Sequence, residues 1–360
     1  MGFCIKVSKL KKNNNFFISN DVFPQNLAVM ETRAESLGIN IIVGDPFTYD
    51  FAKNPVCGVL FQYPAINGEI KVYKELVESL KEKNILSVFS ADLLALTILT
   101  PPGDFGADVV VGTTQRFGVP LGYGGPHAGY FAVADTSFAR KIPGRVVGVT
   151  VDSHGGKAYR LTLQTREQHI KREKATSNIC TAQALPANIS GFYAVYHGPE
   201  GLKRIGKRVH LLTATLATGL KDLGHTIVHD KFFDTLAIRH KSLSSDEILK
   251  IALETKQMNF RKVDRETVCI SLDETTILED VVDIWKVFNY GEEDPKFFDD
   301  ILEITENVEN IIETDERLHR TSPYLTNAVF NRYHTEHGML RFLYRLSTHD
   351  LSLCTSMIPL

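Results

Sequence analysis

The residues best placed for chemistry lie in one stretch, Gly112 to Tyr130, GTTQRFGVPLGYGGPHAGY. It is dense in glycine and holds two prolines, Pro120 and Pro126. Two apolar runs flank it, DVVVG (Asp108 to Gly112) and YFAVA (Tyr130 to Ala134), and both read as buried strands. Gly-Gly and Gly-Pro pairs between them force repeated turns. Such a loop either offers bare backbone N–H groups to an anion or is simply a tight connection in an α/β sheet. Its spacing matches no phosphate-loop pattern, so both readings stand. His127 has the same two sides, a site residue by location or a turn histidine bonded to backbone.

A second polar stretch runs from Gln164 to Leu185, QTREQHIKREKATSNICTAQAL. Its charges (Arg166, Glu167, His169, Lys171, Arg172, Glu173, Lys174) fit a solvated face. The run continues into ATSNICTAQAL, which has few large apolar residues to bury, so a site or subunit-interface segment is the preferred reading. Other chemistries lack their motifs. There is no H-E-x-x-H, no G-x-S-x-G elbow and no G-x-x-x-x-G-K-[ST] loop. The five cysteines (Cys4, Cys57, Cys180, Cys269, Cys354) form no C-x-x-C pair, which points to reduced thiols and away from zinc.

The elements that must hold these residues alternate. FFIS (Phe16 to Ser19) is a strand, and a helix capped by Asn20 or Asp21 follows, with Leu27, Met30, Ala34 and Leu37 as its stripe. Gly38 ends that helix before the buried strand INIIVG (Ile39 to Gly44). CGVLFQYP (Cys57 to Pro64) and ILSVFSAD (Ile85 to Asp92) are further strands, with a helix over Glu69 to Lys83 between them. This is the pattern of a doubly wound α/β domain, whose ligands sit at the carboxyl ends of strands, near Asp92 and the glycine loop. Asp92 also reads as a helix N-cap. Arg145 to Thr150 and Tyr159 to Leu163 form a hairpin around DSHGGK.

A long helix begins near Leu202, with Ile205, Val209, Leu212, Leu216 and Leu220 on one face and Gly224 at its end. Strands at 226–228, 235–239, 258–263 and 267–272 and helices at 246–256 and 276–288 then make a smaller α+β unit. Ser244 and Glu247 form a capping box there. The acidic run at 291–318 reads as a linker or exposed helix, and a tail with spaced aromatics follows from Arg320.

The bulk numbers exclude several classes. A net charge of −3 draws in neither nucleic acid nor an anionic membrane. No run approaches the ~18 apolar residues of a membrane span. The start, MGFCIKVSKLKKNNN, lacks the apolar core of a secretory signal, and Lys6 stands where a myristoylation signal has Ser or Thr.

Together, VFPQNLAVMETRAESLGI, GVLFQYP, ADLLALTILTPPGDFGADVVVGTTQRFGVPLGYGGPHAGYFAV, PGRVVGVTVDSHG, YRLTLQTREQHIKREKATSNICTAQAL and RTSPYLTNAVF closely resemble the glycine cleavage system P-protein, a pyridoxal-phosphate-dependent glycine dehydrogenase. The resemblance covers residues 16–360 and implies the fold-type-I pyridoxal phosphate architecture. It divides the chain into an unrelated start (1–15), a large domain (16–190), a small domain with its connecting helix (191–290) and a linker or tail (291–360). The family has two homologous halves, and this chain is similar to the N-terminal one, as a fragment whose start and end both fall short of the family's. In the C-terminal half the cofactor sits on a lysine in an H-K-T-F sequence. Thr114, Gln115, Arg116 and Phe117 fall on those positions, so Gln115 replaces the lysine, and an amide forms no Schiff base. The place of the aspartate that partners the pyridine nitrogen falls on Phe89, with Asp92 three residues off.

The resemblance thus implies that this half is structural, with no catalytic residue and no metal, and with a degenerate cofactor loop at Thr114, Gln115, Gly124, Gly125 and His127. Arg116, Arg166, His169, Thr176, Ser177 and Asn178 are the expected interface or substrate-site contributors. Expected partners are the C-terminal half, the lipoyl-bearing H-protein, glycine and a second copy of the full enzyme. Pyridoxal phosphate belongs to the complete enzyme and not to this chain alone. Location follows the family, mitochondrial in eukaryotes and cytoplasmic in bacteria. A non-catalytic partner or regulatory subunit is the alternative. An independent pyridoxal enzyme using Lys157 or Lys174 is the weakest, since neither lies in the loop.

Overall fold

A computed structural model of the protein describes residues 1–10, 13–142, 146–162, 172, 181–308, 312, 315–349 and 351–357. After a short helix α1 (Gly2–Val7) come β1 (Asn15–Ser19), α2 (Pro24–Leu37), β2 (Asn40–Gly44), β3 (Gly58–Tyr63), α3 (Lys74–Glu82), β4 (Leu86–Ala91), β5 (Val109–Thr113) and β6 (Gly129–Val133). They build one six-stranded sheet of order β2-β1-β3-β4-β5-β6. All neighbours are parallel except β5 and β6, which the glycine loop joins as an antiparallel pair. The unbroken apolar run of β3 has a simple cause. Val59, Phe61 and Tyr63 face one core and Leu60 faces another, with Phe16, Ile18, Val88 and Val109, so both sides of the strand are covered.

Two strands expected to be buried are not. β2 and β6 are the edges of the sheet, and Val43 and Phe131 are exposed on them. An apolar run alone does not tell a central strand from an edge. Helix α2 also starts later than expected, with Pro24 in its first turn and no side-chain cap. Asp21 is engaged elsewhere, pairing with Lys71 at 2.7 Å and accepting from the Ser19 hydroxyl. Of the expected stripe only Ala34 is buried, and Leu37 points to solvent. Gly38 closes the helix in the left-handed conformation, as expected.

Helix α3 begins at Lys74 and not at Glu69. The missing turn is held by the segment that precedes the strand Thr235–Arg239 of the second sheet: Glu69 bridges Phe232, and the Ile70 N–H donates to the Lys231 carbonyl at 2.9 Å. Strands β7 (Val146–Val151) and β8 (Lys157–Thr162) form the expected hairpin, and Val147, Val149 and Tyr159 on it are exposed. The long helix α4 (Ala184–Asp222) is broken by a non-helical Gly198 before Pro199. It spans both cores, with Val209 in the first and Leu212, Leu216 and Leu220 in the second.

The second sheet is antiparallel, of order β11-β12-β10-β9, from β9 (Thr226–Ile227), β10 (Thr235–Arg239), β11 (Arg261–Lys262) and β12 (Thr267–Ser271). Helices α5 (Ser245–Lys256) and α6 (Leu278–Phe288) pack with it, and the Ser244–Glu247 capping box is present at the start of α5. The acidic run does not hang free. Phe298, Ile312 and Leu318 are buried, helix α7 (Ile301–Asn307) packs on α4, and Asp315 pairs with Lys231. In the tail, helix α8 (Glu336–Ser347) buries Phe342, which stacks on Tyr333 at 4.3 Å. The start is likewise part of the fold, with Cys4 buried and Phe3 edge-on to Phe131 and Phe138. Cys57 and Cys269 are also free and buried, Cys354 is free and exposed, and Cys180 lies outside the described residues. No helix among the described residues is long and apolar enough to cross a membrane.

Packing between α4 and α6 makes one substitution informative. A Cβ on Gly219 would fall on the indole of the fully buried Trp285, whose N–H donates to the Leu216 carbonyl at 3.1 Å. In an open helix, Gly→Ala stabilises by ~1 kcal/mol. Here overpacking reverses the sign, and Gly219→Ala is expected to lose about 1–3 kcal/mol in urea unfolding. A gain in stability would show that the Trp285 contact is loose.

Candidate functional site

The glycine loop leaves β5 at Thr113 and returns at Gly129. Gly112 allows its base to close. A Cβ there would lie 2.5 Å from the Ala91 carbonyl and 2.6 Å from the Tyr130 ring. Tyr130 lies over that glycine and donates its hydroxyl to Ala91 at 2.8 Å. The loop's own turns absorb many of its N–H groups: Thr114 donates to the Ala128 carbonyl (2.7 Å), Phe117 to Thr114 (2.8 Å) and Gly124 to Leu121 (3.1 Å). This is the tight-connection reading, and these donors are not available to an anion.

The loop's residues part in two directions. Thr114 is pinned inward, its hydroxyl 2.7 Å from the Ser190 hydroxyl at the start of α4. Gln115 is half-buried and donates its N–H to the Thr113 hydroxyl at 3.2 Å. Gly124 and His127 belong to an exposed tip, Gly125 beside them is half-buried, and no hydrogen bond of the His127 ring is found among the described residues. The ring thus lacks the backbone bond that the turn-histidine reading requires. At the tip Tyr123 is wholly exposed, with a left-handed φ of 52°, and Leu121 beside it is also exposed. Arg166, His169, Thr176, Ser177 and Asn178 lie outside the described residues, as does Lys174, while Lys157 is exposed on β8.

Arg116 is the residue the fold gathers others around. Its Nη1 lies 2.8 Å from Asp92 Oδ2 and 2.6 Å from Asp234 Oδ2. Glu274 Oε2 stands 3.8 Å from its Nε. Asp92 ends β4 of the large sheet, Asp234 precedes β10 of the small one, and Glu274 lies between β12 and α6. One guanidinium thus ties the loop to both sheets. Asp92 Oδ1 also accepts the Leu94 N–H at 2.9 Å, a local turn contact, while the short helical turn that follows has Leu94 at its N-cap and no side-chain cap. Phe89, in the place expected for a pyridine-binding carboxylate, is fully buried and stacks on Phe61 at 4.7 Å.

The charges shape one another. Burial pushes the Asp92 carboxyl up to about 6, against the pull of Arg116 and helped by the nearby Asp234 carboxylate. Burial opposes the Arg116 charge, yet Asp92 and Asp234 together hold the guanidinium above its ordinary range. A small cleft of about 270 Å³ opens beside this group, with Phe23, Gln62, Asp92, Arg116, Asp234 and Asp273 in its wall. Asp234, Glu274 and Gln62 had no signal in the sequence, because 118 positions separate Arg116 from Asp234 and no local pattern spans that distance.

The fold is that of the type-I pyridoxal phosphate enzymes. A cystine lyase, C-DES, solved with glycine linked to its cofactor, superposes with a TM-score of 0.55 at 13% identity, over 81% of this chain and 78% of that one. A glycine decarboxylase (P-protein) of the glycine cleavage system, solved with an inhibitor, superposes with a TM-score of 0.69 at 29% identity, over 77% of this chain and 65% of that one. The chain belongs to the glycine cleavage system P-protein family, whose model matches residues 1–288. That match takes in the lysine- and asparagine-rich start. Glycine dehydrogenase (decarboxylating) of Nostoc sp. is 53% identical over 360 residues, all of this chain and 36% of that protein. The mitochondrial enzyme of Solanum tuberosum is 48% identical over 361 positions, all of this chain and 34% of that protein. The chain therefore spans about a third of the length of these relatives.

Two changes probe the ion cluster. Arg116→Leu leaves two carboxylates without their cation, a loss of about 3–5 kcal/mol for a fully buried pair. The side chains of Arg116 and Asp92 are 22% and 20% exposed, and screening reduces the expected loss to roughly 2–3 kcal/mol. A change below about 0.5 kcal/mol would mean the cluster contributes nothing to stability. Asp92→Asn tests the titration. Because the folded carboxyl is raised above its unfolded value, the wild type binds this proton more tightly when folded, so its stability falls relative to the variant as pH rises from 4 through 6. Parallel pH profiles for the two proteins would remove the shift.

Proposed function

We propose that this chain is the structural, partner-facing part of a glycine dehydrogenase (decarboxylating), and that it docks on a cofactor-bearing half to complete the enzyme. The residue that carries this reading is Gln115, which the resemblance lays on the lysine position of the other half's loop. The residues present do not fit pyridoxal phosphate. An amide cannot anchor it, several of the loop's N–H groups serve its own turns, and the described wall of the nearest cleft sets Asp92, Asp234 and Asp273 against one arginine. In the complete enzyme pyridoxal phosphate would supply an electron sink for the decarboxylation of glycine, and lipoyl-bearing H-protein would be the acceptor of the aminomethyl group.

The chain's own contribution is to hold shape and offer a surface. Exposed apolar side chains stand on the loop tip (Leu121, Tyr123), on the hairpin (Val147, Val149, Tyr159) and on the tail (Leu340, Tyr344). Scattered exposed hydrophobics are ordinary, but an exposed two-stranded hairpin is marginal alone and gains stability from a partner. Tyr123 is of the residue type enriched among interface anchors, and exposed Leu121 beside it extends the apolar surface. The alternative of a regulatory partner subunit uses the same surface.

The test is co-purification with the remainder of a family protein. The pair is expected to co-elute on gel filtration and to decarboxylate glycine. Tyr123→Ser is expected to weaken the pair by roughly tenfold or more without altering the thermal stability of this chain alone. Separate elution of the two, with activity in the remainder alone, would remove the proposed role.

A further inference from the structure

The inference that follows rests on the reading of this half as one that has lost its cofactor, and it concerns what took the cofactor's place. Loss of a lysine would leave an open site with one residue wrong. The loop does more than omit the lysine. The next residue, Arg116, reaches the carboxyl end of β4 and engages Asp92 and Asp234 through a single nitrogen. We propose that Arg116 is an internal occupant of the vestigial site, a guanidinium of the chain itself that neutralises the carboxylates there and closes the site to pyridoxal phosphate.

Three observations converge on this. The cation is already matched, since Nη1 serves both carboxylates and Glu274 stands 3.8 Å from Nε. The donors an incoming phosphate would need are walled off, because Nε and Nη2 are buried and make no hydrogen bond. The space left over suits no phosphate either. In the cleft of about 270 Å³ three aspartates outnumber the arginine, and the two hydroxyls at its wall, on Thr235 and Ser271, bond each other at 2.8 Å. A phosphate dianion there meets net negative charge in a partly desolvated setting, where repulsion is weakly screened. Restoring the lysine would therefore not restore the site.

The experiment compares the whole chain with Gln115→Lys, Gln115→Lys/Arg116→Ser and Gln115→Lys/Asp273→Asn. Each is titrated with pyridoxal phosphate and reduced with borohydride, and attachment on the peptide containing position 115 is quantified by mass spectrometry. Gln115→Lys alone is expected to attach no more cofactor at that peptide than exposed lysines do elsewhere. Removing Arg116 is expected to raise attachment by about tenfold, and Asp273→Asn, which keeps the Arg116 contacts and the fold, by about fivefold for one charge removed. Saturable attachment in Gln115→Lys equal to that in either double variant overturns the proposal, as does no gain in a folded Gln115→Lys/Asp273→Asn. Saturable binding of the cofactor by the unaltered chain would instead sink the structural reading of this half, and so the two failures are distinguishable.

Discussion

The structure depends on one guanidinium shared by carboxylates from two sheets. Arg116 sits in the loop between β5 and β6, Asp92 closes β4, and Asp234 opens β10. An ion pair of this kind adds little net stability when formed, because desolvation offsets attraction. Its weight lies in the asymmetry of breaking it. With both carboxylates committed to one nitrogen, no single partner can leave without stranding a charge. The contact is therefore specific in a way that apolar packing between the sheets is not. The backbone bridges around it, Glu69 with Phe232 and Ile70 with Lys231, fix the same junction by hydrogen bonds.

On the proposed reading, that junction replaces a contribution that a cofactor makes elsewhere in this fold. In an enzyme of this fold, a bound cofactor is also a structural ligand, and its binding energy stabilises the folded state. Where the chain supplies its own cation, that contribution becomes intramolecular and is present at any cofactor concentration. The loop's turns show the same shift. Three of their N–H groups close on Ala128, Thr114 and Leu121, so these donors are satisfied within the loop itself. Gly112 lets Tyr130 lie across the loop's base, a requirement of packing alone.

Much of the frame was legible in the sequence because it rests on local rules. The capping box at Ser244, the left-handed Gly38, the hairpin at 146–162 and the stripe of α4 each follow from residues a few positions apart. What misled was long-range. INIIVG and YFAVA look like buried strands, yet only sheet order makes them edges. Asp21 looks like a cap, yet Lys71, fifty positions on, takes its carboxylate. Glu69 to Tyr73 has helical spacing, yet pairing with residues 231 and 232 holds it extended. The acidic run at 291–318 has the composition of a linker, yet Ile312 and Leu318 pack into the first core and Phe298 into the second. The site divided in the same way. Gln115 could be singled out by resemblance, while the carboxylates around Arg116 come from segments whose meeting only the fold decides.

The two departures at positions 115 and 116 differ in kind. On the resemblance, Gln115 stands where the other half has a nucleophilic lysine, and such a change leaves the surrounding charges as they were. An arginine facing two aspartates sets a new balance, in which the carboxylates have a permanent counter-ion. With the first change alone, Asp92 and Asp234 would still face each other without a fixed cation, at the cost of burying like charges. With the second in place, burial still pushes the Asp92 carboxyl up to about 6, yet Arg116 stands between the two carboxylates. The physical order of importance is thus the reverse of the chemical one. Position 115 bears on covalent chemistry, while position 116 bears on how the loop is tied to its two sheets.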